Sequence, residues 1–156
     1  MCSSDLFWRS ESFQKFCLGL DIRVLLLIHL TRFVGIYFLV LYSRGELPYE
    51  FAVHGGLGDI AVAATALLVC IFSPRAGGTG FVIYFAWNIL GLIDILYVVM
   101  MATRSAIANP QSMKALTELP LSLLPTFLVP IIIFTHILIF FRLYSSYREK
   151  GHLLQF

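Results

Sequence analysis

The sequence predicts an all-α, polytopic membrane protein: four transmembrane helices in a bundle, preceded by a short N-terminal interfacial helix. Three observations predict it. Hydrophobic residues make up 59% of the 156 residues and charged residues only 13%, against about 25% charged in an ordinary soluble domain. Mean hydropathy is +0.86. The apolar residues also gather into four runs, parted by Gly- and Pro-bearing segments. At about 1.5 Å per residue, runs of this kind match a hydrocarbon core of about 30 Å. The chain reads as one membrane domain over residues 1–156.

Residues 1–22 form the interfacial segment. Leu6, Phe13, Phe16 and Leu20 recur at helical spacing, with Arg9, Glu11 and Lys15 between them, a pattern that suits a helix lying on the membrane surface. Phe7 and Trp8 suit the interfacial aromatic belt. Asp5, Glu11 and Asp21 interrupt any apolar core of a cleavable signal peptide. The mature chain is therefore expected to start near Met1, with the first span as insertion signal.

The first span is expected at 24–42 and ends in a loop, Ser43 to Glu50, holding Gly45 and Pro48. The second is expected at 55–72. Its apolar run is short, and Phe51 to Gly56 are available to extend it. The turn after it contains Pro74, Gly77, Gly78 and Gly80. The third span is expected at 81–101. The longest polar loop, 103–118, follows, with Pro110 inside it and room for a surface helix from Gln111 to Leu116. The fourth span is expected at 119–143. Pro120 lies in its first turn, where proline is tolerated. Pro125 and Pro130 lie deeper and predict kinks or freed carbonyls. Residues 144–156 form a polar tail.

Four spans place both termini on one side. Arg9, Lys15, Arg23, Arg75, Arg142, Arg148 and Lys150 fall there, and Arg44, Arg104 and Lys114 on the other. This asymmetry predicts cytoplasmic termini. The net charge of +2, without a basic cluster, argues against nucleic acid as a partner. Cys2, Cys17 and Cys70 have neither metal-ligand nor disulfide spacing, and Cys70 reads as a small buried hydrophobe.

Ionisable residues within spanning helices are costly and face a bundle interior, a partner or a water-filled path. Five fall in the spans: His29, Arg32, Asp59, Asp94 and His136. Helical depth divides them. Arg32 and Asp94 have opposite signs and overlapping depths, so an ion pair is expected, with Asp59 joining from above or capping its own helix start. His29 and His136 each lie about 9 Å inside the cytoplasmic face, and Asn88 about 12 Å. These three are expected in a separate layer. Face periodicity agrees with a shared interior. His29, Arg32 and Gly35 step by three, as do Asn88, Gly91 and Asp94. Asp59, Ala63 and Ala66 make a small face, and Pro125, Val129, Ile132 and His136 a stripe.

Each group has a bland reading beside a functional one. Arg32 with Asp94 is a lock on helix rotation, or a substrate or proton site. If it is a lock, a charge-reversed double variant should recover stability. The histidines either hydrogen-bond separately to hydroxyls and carbonyls, with Thr135 adjacent to His136, or ligate haem b between spans one and four. No metal site is assigned, since the depths place both histidines far from Asp59. Gly55-Gly56-Leu57-Gly58 lacks the Lys-Ser/Thr of a phosphate loop and reads as a tight helix entry. His54 and His152 read as solvent or interface groups, and Trp87 and Tyr97 as lipid-facing or packing residues. No catalytic Ser-His-Asp or Cys-His set falls at one depth, so the chain leans away from enzymes.

Arg32 and Gly35, Gly45-Glu46-Leu47-Pro48, Phe51, Gly58-Asp59, Trp87-Asn88, Gly91, Asp94, Pro125, Pro130 and His136 together resemble a family of small uncharacterised bacterial multi-pass inner-membrane proteins. The likeness covers residues 24–143. It implies a helical inner-membrane protein and brings no activity, cofactor or substrate. The leading expectation is a non-enzymatic protein whose buried polar cluster binds or passes a small solute, ion or proton, in a homo-oligomer or larger membrane complex. The alternatives are a haem b subunit of a redox complex and a structural accessory subunit.

Overall fold

The computed structural model describes residues 19–73 and 79–153, with side chains to Tyr147. Most of the expected interfacial helix, the centre of the Pro/Gly turn and the side chain of His152 lie outside the described residues. Among those described there is helix and turn and no strand. Four helical stretches are long and apolar enough to cross a membrane: span one Ile22–Ser43, span two Glu50–Phe72, span three Thr79–Ala108 and span four Leu124–Tyr147. Only 39, 33, 33 and 28% of their most apolar windows is buried inside the protein. Most of each apolar surface therefore faces outward, as lipid contact requires and water disfavours.

Span one is not one regular helix. Asp21 caps α1 (Ile22–Ile28), its carboxylate accepting the Arg23 backbone N–H at 2.9 Å. A 3-10 stretch follows, His29–Val34, and then α2, Gly35–Ser43. A 3-10 helix repeats every three residues, whereas an α-helix drifts at that step. His29, Arg32 and Gly35, three apart, thereby point the same way. Gly45 ends the span at φ 74°, in the left-handed region that glycine enters without penalty. There its N–H donates to Tyr42 O and that of Glu46 to Leu41 O, both at 2.9 Å.

Span two opens with a π-helical turn, Glu50–Gly55, and continues as α3, Gly56–Phe72. The extension back to Phe51 thus forms. Span three is a single helix, α4, Thr79–Ala108, and takes up the first part of the polar loop expected at 103–118. The rest is a 3-10 helix, Pro110–Thr117, which buries Met113 and Leu116. Span four starts later than expected. Residues 118–122 are bend and turn, and a π-helical turn follows at Leu124–Leu128 with Pro125 in its first positions. Proline removes an amide donor, and the wider turn absorbs that loss. Helix α5 then runs Val129–Leu153, carrying helix well into the expected polar tail.

Spans one and two, two and three, and three and four pack as neighbours, while spans one and four meet through α1 and α5. At the end where α1 begins, Leu26, Tyr84, Trp87, Ile139 and Leu143 belong to one apolar cluster. At the loop end, Phe38, Leu41, Phe51, Val98 and Leu116 belong to a second. The buried polar residues lie between these two plugs. Toward the loop end span four packs more loosely: the Leu124–Leu128 turn has no fully buried residue, although Leu124 packs against the second cluster.

Candidate functional site

Arg32, on the 3-10 stretch, is 1% exposed and supplies donors to three acceptors. Its Nε donates to Asp59 Oδ1 at 2.6 Å, its Nη1 to the Gly91 carbonyl at 3.1 Å, and its Nη2 to Asp94 Oδ2. The sequence expects a pair with an optional third member. The structure has a triad. Asp59, 5% exposed, lies within span two rather than serving as its cap, because the π-helical turn moves the helix start back by more than a full turn. Asp94 is less buried, its side chain 21% exposed.

Each carboxylate gives one oxygen to Arg32. The second oxygen, Asp59 Oδ2 or Asp94 Oδ1, has no hydrogen bond among the described residues. One guanidinium thus faces two carboxylates. With all three ionised, the cluster carries one negative charge in excess.

The glycines of the sequence pattern make these approaches possible. A Cβ on Gly35 would run into the Gly56 carbonyl oxygen and come within 3.0 Å of the Asp59 Cβ. A Cβ on Gly58 would collide with the Asp94 carboxylate, and one on Gly91 would lie 2.7 Å from His136 Cε1. Small residues let helices close up in lipid, and here they also seat polar side chains.

His29, Asn88 and His136 are fully buried. His136 Nδ1 pairs with Asn88 Oδ1 at 2.8 Å, and Asn88 Nδ2 donates to the His136 carbonyl at 3.0 Å. His29 Nε2 pairs with the Thr135 hydroxyl at 3.2 Å. The two rings also pack on each other, 4.3 Å between centres and tilted by 48°. Trp87 closes the group edge-on to His29 at 5.0 Å and donates from Nε1 to Thr65 Oγ1 at 3.1 Å. Of its two expected roles, lipid-facing or packing, it has the packing one, since only 7% of it is exposed. His29 Nδ1 and His136 Nε2 have no partner among the described residues. Cys70 is half-buried rather than buried, and His54 is exposed.

The two expected groups keep separate side-chain partners but are in contact. They abut at Gly91, whose carbonyl accepts from Arg32 while its Cα faces the His136 ring. Depth along separate axes cannot reveal this, because the contact depends on which helix faces meet and on how closely a glycine lets them approach.

The histidine geometry does not suit haem. Metal–imidazole bonds of about 2 Å on opposite faces of a macrocycle put ring centres roughly 6 Å apart with the porphyrin between them. Here the rings touch and each has a nitrogen engaged by a neighbouring side chain. No group of three metal-ligating side chains forms among the described residues.

Thr65 is the participant the sequence does not mark, and Thr135, legible beside His136, pairs with His29 instead. Hydroxyls in spanning helices usually bond back to their own backbone, as Thr135 does to Ile132 O at 2.8 Å, and nothing in the sequence shows that Thr65 also reaches across. Removing the Asn88 amide tests the pairing. Asn88→Leu should cost about 1–3 kcal/mol by stranding His136 Nδ1, measured as lowered unfolding stability in detergent. Unchanged stability would show the contact to be dispensable.

A family profile described as a domain of unknown function (DUF8737) matches residues 15–144. No curated protein and no solved structure matches the chain.

Proposed function

The chain belongs to the DUF8737 family of domains of unknown function, and from its own site we propose that it binds or passes a small solute, using the Arg32–Asp59–Asp94 triad to take up a proton or small cation. One observation carries this reading: a single guanidinium holds two carboxylates, each with an oxygen to spare, between apolar plugs. A net charge inside a membrane protein is costly, and an incoming proton or monovalent cation cancels it. The protein then acts without covalent chemistry, in a homo-oligomer or larger membrane complex. Its setting is a bacterial inner membrane with both termini cytoplasmic, in keeping with the distribution of Lys and Arg.

Vesicles loaded with a pH-sensitive dye test this under an imposed potential. The wild-type protein should carry protons faster than empty vesicles. Asp94→Asn leaves one carboxylate for one guanidinium, so it should fold normally yet lose most of that flux. Equal flux in the variant, or none above background in the wild type, would remove the triad from the function.

A structural accessory role has its own support. Arg32 of span one bonds to Asp59 of span two and to Gly91 and Asp94 of span three, as a lock between the three spans requires. Under that reading, neither Asp94→Asn nor the imposed potential alters vesicle flux.

A further inference from the structure

A cavity of about 190 Å³ lies toward the loop end, between the loosely packed start of span four and the other spans. Its walls are apolar and include Phe38, Val98, Leu128 and Ile132, while Arg32 and Asp59 form part of its lining. Asp59 is 95% buried by its 5% exposure, and its Oδ2 is the oxygen that Arg32 leaves unpartnered. An apolar pocket with one unmatched acidic oxygen is built for neither a hydrated ion nor a plain hydrocarbon. A hydrated ion would meet apolar walls, and a hydrocarbon would leave Oδ2 unsatisfied.

The guanidinium does not reverse this preference. Arg32 is already engaged by both carboxylates and the Gly91 carbonyl, and the triad's excess charge is negative. Size narrows the choice further, since an apolar cavity of about 150 Å³ takes benzene. The space here suits a ring or branched chain of roughly eight heavy atoms.

We infer that this cavity binds a small lipophilic ammonium compound, its apolar body against Phe38, Val98, Leu128 and Ile132 and its N–H groups on Asp59. The inference rests on the triad as a cation site and names the class of molecule that would reach it. An ammonium group would offer Asp59 Oδ2 a charge-assisted hydrogen bond and bring the positive charge the triad lacks. A ligand of this kind partitions into the bilayer and would approach beside the loosely packed start of span four.

Benzylammonium, benzyl alcohol and benzoate share one shape and differ in charge. Titration calorimetry of the full-length protein in lipid nanodiscs should show benzylammonium binding roughly tenfold or more tighter than benzyl alcohol, a difference set by one charge-assisted contact. Benzoate should not bind measurably. Asp59→Asn should erase the preference for the ammonium, and Val129→Phe, which fills the cavity, should remove both ligands. Circular dichroism and gel filtration establish that each variant is folded. If Asp59→Asn fails to fold, competition between benzylammonium and benzyl alcohol on Val129→Phe and wild type still decides.

Equal affinity for the alcohol and the ammonium would overturn the inference, as would an acyl chain retained in the cavity that neither compound displaces. The two proposals fail separately. Proton flux that depends on Asp94 without any benzylammonium binding would reject the ligand class alone. Loss of that dependence would reject the cation site itself.

Discussion

Replacing Arg32 with methionine should destabilise the folded bundle by about 3–5 kcal/mol, the usual effect of removing one partner from a buried charge cluster. Two carboxylates would then face each other with no cation, and the Gly91 carbonyl would lose its donor. Arg32→Lys should rescue little. A single ammonium cannot reproduce the planar fork that reaches Asp59, Gly91 and Asp94 from separate nitrogens. The cause can be separated from packing by the triple variant Arg32→Met/Asp59→Asn/Asp94→Asn. It carries no charge in the cluster and should recover most of the loss, read by thermal unfolding in detergent. If the triple variant is as unstable as Arg32→Met, unpaired charge is not the reason. The triad also changes the outcome expected of charge reversal. Exchanging the signs of Arg32 and Asp94 should not restore stability, because Asp59 would then face a second carboxylate across span one.

Gly35→Ala should be nearly as damaging as Arg32→Met, although it adds a single methyl group. The added carbon would press on the Gly56 backbone carbonyl and on the Asp59 Cβ at 3.0 Å. Neither can swing aside as a side-chain end would, so spans one and two must separate. Overpacking of this kind costs about 1–3 kcal/mol, occasionally more, and the separation also lengthens the Arg32–Asp59 contact. The expected result is a lower unfolding temperature together with loss of the proton flux proposed for the triad. Gly58→Ala offers the contrast. Its added carbon meets the Asp94 carboxylate, the end of a rotatable side chain, so flux should suffer more than stability. A Gly35→Ala protein as stable as wild type would show that spans one and two do not cross as closely as described.

Much of this architecture is legible along the chain because it rests on composition and period. Apolar runs of bilayer length announce the spans, and Gly45 and the later glycines and prolines announce the breaks. The step of three through His29, Arg32 and Gly35 is also visible, and it marks the buried face. Its cause is not visible, since the same spacing fits one face of an α-helix loosely and a 3-10 helix closely. Span ends are read less well. Thr103 to Ala108 look like polar loop but continue α4, and Leu119 to Ser122 look like helix but form turn before Pro125. Helices project past the apolar core at no cost in lipid, so hydropathy does not mark where the backbone hydrogen bonding stops.

By itself the sequence determined the class of protein, the number of spans and which few residues are too polar for lipid. Those properties depend on transfer free energy and on periodicity, and both are local. Tertiary structure decided the partners. It brought Asp59 as well as Asp94 onto Arg32, set His29 against His136, brought the two polar groups into contact at Gly91 and left a cavity beside the start of span four. Such outcomes depend on helix rotation, on rise per residue and on how closely two backbones approach. All three are settled between spans, where glycine removes the atoms that would keep them apart.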